Sequence, residues 1–238
     1  NFINAKATLT VPTGTGANPG IDDAWLQFGN SSVDLKIGRQ EAADLFPLGK
    51  DVVVEGAGVT YNGGYRANKL RGRVTTGALH GVLGFNASPA LRMEVGLVTA
   101  KDTNQYGLRP TVVYSAGALT LRAGFESIQQ DNMADATGYG VSLGYAVAEG
   151  VNVNVNLAKS SKLDAQSFGV NAVIGAAGIG YVKDEDTALN KNVSTVYAAY
   201  TLPLLNIKNA AITPAISRST GTGADSVTAF KVRFNYGF

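Results

Sequence analysis

Residues 151–157 read VNVNVNL, which sets three valines and a leucine on one side of an extended chain and three asparagines on the other. A strict period of two is the signature of a β-strand whose faces meet different surroundings. The pattern recurs along the chain. Ile3, Ala5, Ala7, Leu9 and Val11 alternate with Asn4, Lys6, Thr8 and Thr10. Leu91, Met93, Val95 and Leu97 alternate with Arg92, Glu94, Gly96 and Val98, and Leu119, Leu121, Ala123 and Phe125 with Thr120, Arg122, Gly124 and Glu126. The last residues, TAFKVRFNYGF, separate Phe230, Val232, Phe234, Tyr236 and Phe238 from Lys231, Arg233, Asn235 and Gly237. No helical period is sustained and no shift of composition marks a linker. One all-β domain over residues 1–238 is expected.

Composition narrows the chemistry. The chain has no cysteine, so disulfides, thiol catalysis and thiolate metal sites are excluded. Twenty Lys and Arg against 18 Asp and Glu give no reason to expect a nucleic-acid partner. No apolar run approaches the roughly 18 residues of a spanning helix. The opening NFINAKATLT lacks the basic start and apolar centre of a signal peptide, so an exported protein would be in its processed form here. The 29 glycines lie inside the alternating segments as well as at turns, which suits curved sheets.

Counting back from the C-terminus, the alternation predicts strands at 226–238, 210–219, 192–202, 178–184, 165–175, 151–159, 136–147, 118–128, 107–116, 91–101 and 76–86, with three more at 32–40, 21–29 and 2–11. Tight turns such as GNSS, NASPA, SAGA, AEG and GAAG alternate with polar segments such as KDTNQYG, SIQQDNMADA, KSSKLDAQ, KDEDTALNKN and RSTGTGADS. The expected fold is a transmembrane antiparallel β-barrel of about 14 strands, with short periplasmic turns and polar loops at the other end. Residues 41–75 stand out as a long stretch in a chain of short connections, and such loops are usually functional. They are read as one loop folded into the barrel. The alternative is a further hairpin, near 51–60 and 67–74, giving 16 strands.

Alternation alone does not say which face is inside. Long continuous strands with Asn, Arg, Lys and Glu on one face favour a membrane barrel, as do aromatics near strand ends on the apolar face: Phe28, Phe85, Tyr114, Phe125, Tyr139, Tyr200 and Phe238. Closure also explains so many strands without helices to protect an edge.

The terminal VRFNYGF resembles the final strand of bacterial outer-membrane barrels. The arrangement resembles the Gram-negative porins, whose long third loop follows a strand often ending in Gly-Arg-Gln. Gly38, Arg39 and Gln40 stand at that point here. Eleven predicted strands follow the long stretch, as in sixteen-stranded porins, whereas three precede it where that pattern has five. LFPLGKDVVVE and YRANKLRGR resemble sugar-porin sequences. The resemblance implies an outer-membrane location, a lipid surround and a homotrimer.

By alternation the inward face carries Lys6, Lys36, Arg92, Arg109, Arg122, Lys231 and Arg233 against Asp34, Glu94 and Glu126. These either pair across a solvated lumen or bias it toward anions, and both can hold together. The long stretch adds Glu41, Asp44, Asp51 and Glu55, then Lys50, Arg66, Lys69, Arg71 and Arg73, which would face the wall across a constriction. His80, the only histidine, falls inward with no sign of a catalytic partner. Trp25 is a lumen filler or a sugar-stacking surface. GTGANPG and GTGAD precede no helix, so phosphate-loop readings fail. Pro214, mid-strand, marks a bulge, a protomer contact or a misplaced strand.

The expected function is passive diffusion of small hydrophilic solutes, sugars or small acids among them, through a weakly anion-favouring pore. No catalytic residue, metal site or cofactor is expected. A narrow or plugged barrel with a structural or adhesive role is the alternative, and a soluble β protein is the third reading.

Overall fold

In the computed structural model, residues 1–10, 20–50, 64–72, 78–100, 104–129, 131, 135–205 and 207–236 are described. The segments with a period of two are strands: β1 (Phe2–Thr10), β2 (Gly20–Gly29), β3 (Val33–Arg39), β4 (Ala78–Ser88), β5 (Leu91–Ala100), β6 (Gln105–Ala116), β7 (Leu119–Gln129), β8 (Ala136–Ala148), β9 (Val151–Ser160), β10 (Ala165–Ile174), β11 (Ala177–Asp186), β12 (Lys191–Tyr200), the short β13 (Leu202–Pro203), β14 (Ala210–Gly221) and β15 (Ala224–Tyr236). All fourteen long strands expected from alternation are present, each end within two residues of its expected place. Phe238 lies outside the described residues.

Neighbours in sequence pair antiparallel from β1 to β12, and β14 then takes β12 and β13 on one side and β15 on the other. This single meander coils into an all-β barrel wall. Its burial pattern is inverted relative to a protein packed around an oily centre. Phe230 is 75% exposed and Leu157 53%, while Asn156, Ser219 and Glu126 are fully buried. Large apolar side chains cover the outside, as a lipid surround requires.

One end of the wall is made of tight turns. Gly117, Gly150 and Gly175 supply positive φ of 57°, 72° and 55° there. The other end differs from expectation. Half of polar segment 159–166 and most of 183–192 and 218–226 are strand, leaving connections of 161–164, 187–190 and 222–223. Above the lipid band an outward side chain meets water, so the ladder continues without apolar alternation to announce it.

Pro214 sits at a break in its partner. The β12 ladder ends at Ala199↔Ala215, and the β13 ladder begins at Leu202↔Ile212. The irregularity at Thr201 therefore falls beside the residue that has no N–H to give.

Of the alternative hairpin, residues 67–72 form no strand beyond one bridge, Glu41↔Gly72. Residues 51–60 and 73–74 are outside the described residues.

Candidate functional site

The barrel's apolar core is a lining on one wall. Leu45, Phe46, Tyr65 and Ala67 of the long stretch pack with Ala158, Ala165, Val182 and Tyr197 of the wall, with Leu48 and Leu163 beside them. Glycines at inward positions of β6, β7, β8, β10 and β11 make this close approach possible. A Cβ added at Gly124 would lie 2.6 Å from Leu45 Cδ1, at Gly138 2.6 Å from Tyr65 Cε1, at Gly140 2.7 Å from Ala67 Cβ, and at Gly169 3.0 Å from the Phe46 ring. Gly107 and Gly178 similarly receive Leu70 and the Lys50 stem.

Polar groups hold the same segment. Asn156 and Asn171 donate to the Pro47 carbonyl at 2.7 and 2.8 Å, and the Tyr197 hydroxyl donates to Leu48 O at 3.0 Å. Lys50 Nζ reaches Thr201 Oγ1 at 3.3 Å, near the turn end. On the returning limb, Arg66 grips Asp184 through Nε at 3.1 Å and Nη2 at 2.5 Å, a two-point pair that fixes direction as well as distance. Arg109 Nη2 donates to Ala43 O and Ala67 O, at 2.9 and 3.1 Å, and so ties the two limbs together. Glu126 accepts from the backbone N–H groups of Lys69 and Leu70, both at 3.0 Å, and lies 3.6 Å from Arg109 Nε. Ala67, with φ of 52°, starts the turn that presents those two N–H groups. Tyr65 is buried beside them; burial first, then the Glu126 charge, pushes its phenol well above the usual range, so it stays protonated.

The segment closes at its neck. Ala42 N–H donates to Arg71 O at 2.6 Å, and at Gly72, whose φ is 150°, a Cβ would fall on the Gln40 carbonyl. Arg71 lies 3.3 Å from Glu41 and 3.6 Å from Asp44. Among the described residues, these contacts lay 41–50 and 64–72 against β5–β12.

The rest of the inner face is charged and more open. Lys6 Nζ meets Asp23 Oδ2 at 2.6 Å, and Lys36 Nζ stands 4.3 Å above the Trp25 ring. Gln27 and Arg92 both donate to Asp34, and Arg92 also holds Glu94, which in turn accepts from Ala43 N–H. Lys231 and Arg233 face inward on β15, across from Ala215 and Thr213 of β14, and Arg122 faces inward on β7 across from Ser142 of β8.

The residues expected to line the pore fall on the inward register of their strands, but two of them are covered from inside. Arg109 and Glu126, 1% and 0% exposed, lie beneath the long segment and fasten it. This corrects their expected place: the segment covers them. Glu41, Asp44 and Arg71 gather at the neck, whereas Arg66 turns away to Asp184. Asp51, Glu55 and Arg73 lie outside the described residues. His80 is fully buried on the inner face. Asp23 and Asp184, the partners of Lys6 and Arg66, were not singled out from sequence; nor were the asparagines under Pro47. The legible signal was the run of inward glycines on successive strands, which marks where a second layer lies.

The profile of the family described as Porin-like glycoporin RafY matches residues 3–183, more than half of the chain. The chain belongs to this family. Membership places it among outer-membrane porins. Solved structures agree in fold. A mutant of the Rhodopseudomonas blastica porin superposes with a TM-score of 0.64 at 13% identity, over 98% of this chain and 84% of that one. A loop-deletion mutant of OmpT, an outer membrane protein of Vibrio cholerae, superposes with a TM-score of 0.68 at 13% identity, over 98% and 84%. No curated protein sequence matches the chain.

Proposed function

We propose that residues 1–238 form one barrel domain that passes small hydrophilic solutes by passive diffusion, with 41–75 as its constriction loop and no reaction catalysed. The observation that carries this is the one-sided lining: the long segment is fastened to β5–β12, and polar, charged side chains of β1–β3, β14 and β15 face the remaining cross-section. Passage then depends on size and on the field between the neck, with Glu41, Asp44 and Arg71, and the wall opposite.

The field is weakly anion-favouring. Lys6 is offset by Asp23, and Arg92 by Asp34 and Glu94. The bias is carried by the basic excess of the inward face as a whole, to which Lys36, Arg122, Lys231 and Arg233 contribute. The family's description as glycoporins supports sugars as solutes, with small acids as a second class. The porin fold supports a homotrimer in the outer membrane.

Bilayer conductance tests the reading. Deleting 44–58 while keeping the strands is expected to raise single-channel conductance, because a folded-in segment occupies cross-section. Unchanged conductance would place the segment outside the passage. Replacing Lys231 and Arg233 by Ser is expected to move reversal potentials toward cations, more strongly at low salt, where the Debye length exceeds its roughly 8–10 Å near physiological ionic strength. Cation preference in the native protein would overturn the assignment of the field.

A further inference from the structure

The outer wall carries charge at one place beside apolar rows. Outward side chains of β8–β11 form cross-strand rows, and the row nearer the loop end is Tyr139, Lys159, Gln166 and Glu185. Two residues deeper, about 6–7 Å along the strands, the row is Val141, Leu157, Phe168 and Lys183. Lys183 thus stands among apolar residues and reaches back to pair with Glu185, which also accepts from the Gln166 amide. Between the rows lies a hollow of about 380 Å³, with Leu157 and Phe168 on its deep side and Tyr139, Lys159, Gln166 and Glu185 around its upper part. One carboxylate faces two lysines, so the cluster keeps a net positive charge.

Two features of this hollow point to one occupant. Its deep side offers an apolar surface at membrane depth, and its rim offers an excess cation with two neutral donors at the boundary with water. Aromatic and long cationic side chains favour that boundary. We propose that the hollow binds an anionic, phosphate-bearing lipid of the outer leaflet. Lys159 and Lys183 hold the phosphate, the Gln166 amide and Tyr139 hydroxyl add hydrogen bonds, and the first acyl segment lies on Leu157 and Phe168. Glu185 competes with the phosphate for Lys183. The site needs only the outer-membrane orientation of the barrel and is independent of what the pore transports.

Native mass spectrometry of the folded full chain in detergent tests this, with added phosphatidylglycerol and phosphatidylcholine of matched chains. Phosphatidylglycerol is expected to be retained at about tenfold lower concentration, the ratio given by one decade in affinity. The double variant Lys159→Gln, Lys183→Gln should lose that preference, and Glu185→Gln should strengthen it by removing the competing carboxylate. Heat-shifted electrophoretic migration checks that each variant is folded. Equal retention of the two lipids by the native chain, or an unchanged preference in the double variant, would overturn the proposal. Displacement of the lipid by millimolar inorganic phosphate would also overturn it, by making the site one for a free anion. So would loss of self-association in the double variant, which would make the patch a contact between copies.

Discussion

Glu126 shows what one side chain can decide in this wall. It is buried, ion-paired with Arg109, and accepts two backbone N–H groups from the turn that begins at Ala67. A buried charge pair is stabilising only while both partners and their hydrogen bonds remain, and removing one partner costs about 3–5 kcal/mol. Glu126→Gln is therefore expected to lower unfolding stability by an amount in that range, measured by denaturant titration in detergent. It should also release the 67–70 turn, raising current noise in single-channel records. A variant as stable and quiet as the native chain would show that Arg109 alone fixes the turn. None of this was legible in sequence. The alternation of β6 and β7 put Arg109 and Glu126 on the inner face correctly, but period two carries no information about what covers that face. Their roles became visible only when Ala43, Ala67, Lys69 and Leu70 were seen above them.

At the scale of the strand, a side chain's face decides its tolerance. Phe234 points outward from β15 and is 66% exposed, while Lys231 on the same strand points inward. Phe234→Lys is expected to cost roughly 2–4 kcal/mol if it lies near the membrane midplane, whereas Lys231→Ala should be mild; equilibrium unfolding into lipid vesicles checks both. A larger loss at Lys231 would reverse the facing. The glycines make the matching test on the inner face. Gly140→Ala would place a Cβ 2.7 Å from Ala67 and 3.1 Å from Leu45, and overpacking of this kind costs about 1–3 kcal/mol. Gly81→Ala, outward on β4 with nothing within 4 Å, should be neutral. Thermal melting of the two variants, with equal effects as the adverse result, separates a bed for the segment from a general need for sheet curvature. Strand positions were legible because lipid outside and water inside impose contrast on every second residue. The polar segments at the loop end were misread as loops because that contrast fades where both faces meet water. Asn156 and Asn171 also looked like ordinary lumen residues, since an asparagine that solvates a pore and one that holds a carbonyl are the same letter.

The whole molecule is a polar-walled barrel with its apolar core gathered on one side. Its strand order and inward facing followed from the alternation, but the asymmetry did not, because the long segment carries no period of its own. That asymmetry gives the neck a further consequence. Glu41 and Gly72 meet at a single bridge, with Ala42 and Arg71 bonded beside it. The described limbs, 42–50 and 64–71, leave and rejoin the wall at that bridge. Such an excursion is a cassette: its length and composition can change without shifting the pairing of β3 with β4, and each doubling of a flexible loop's length adds only about 0.6 kcal/mol of closure cost. Grafting a shorter or differently charged cassette onto the same neck would retune the sieve while leaving the lipid-facing shell untouched.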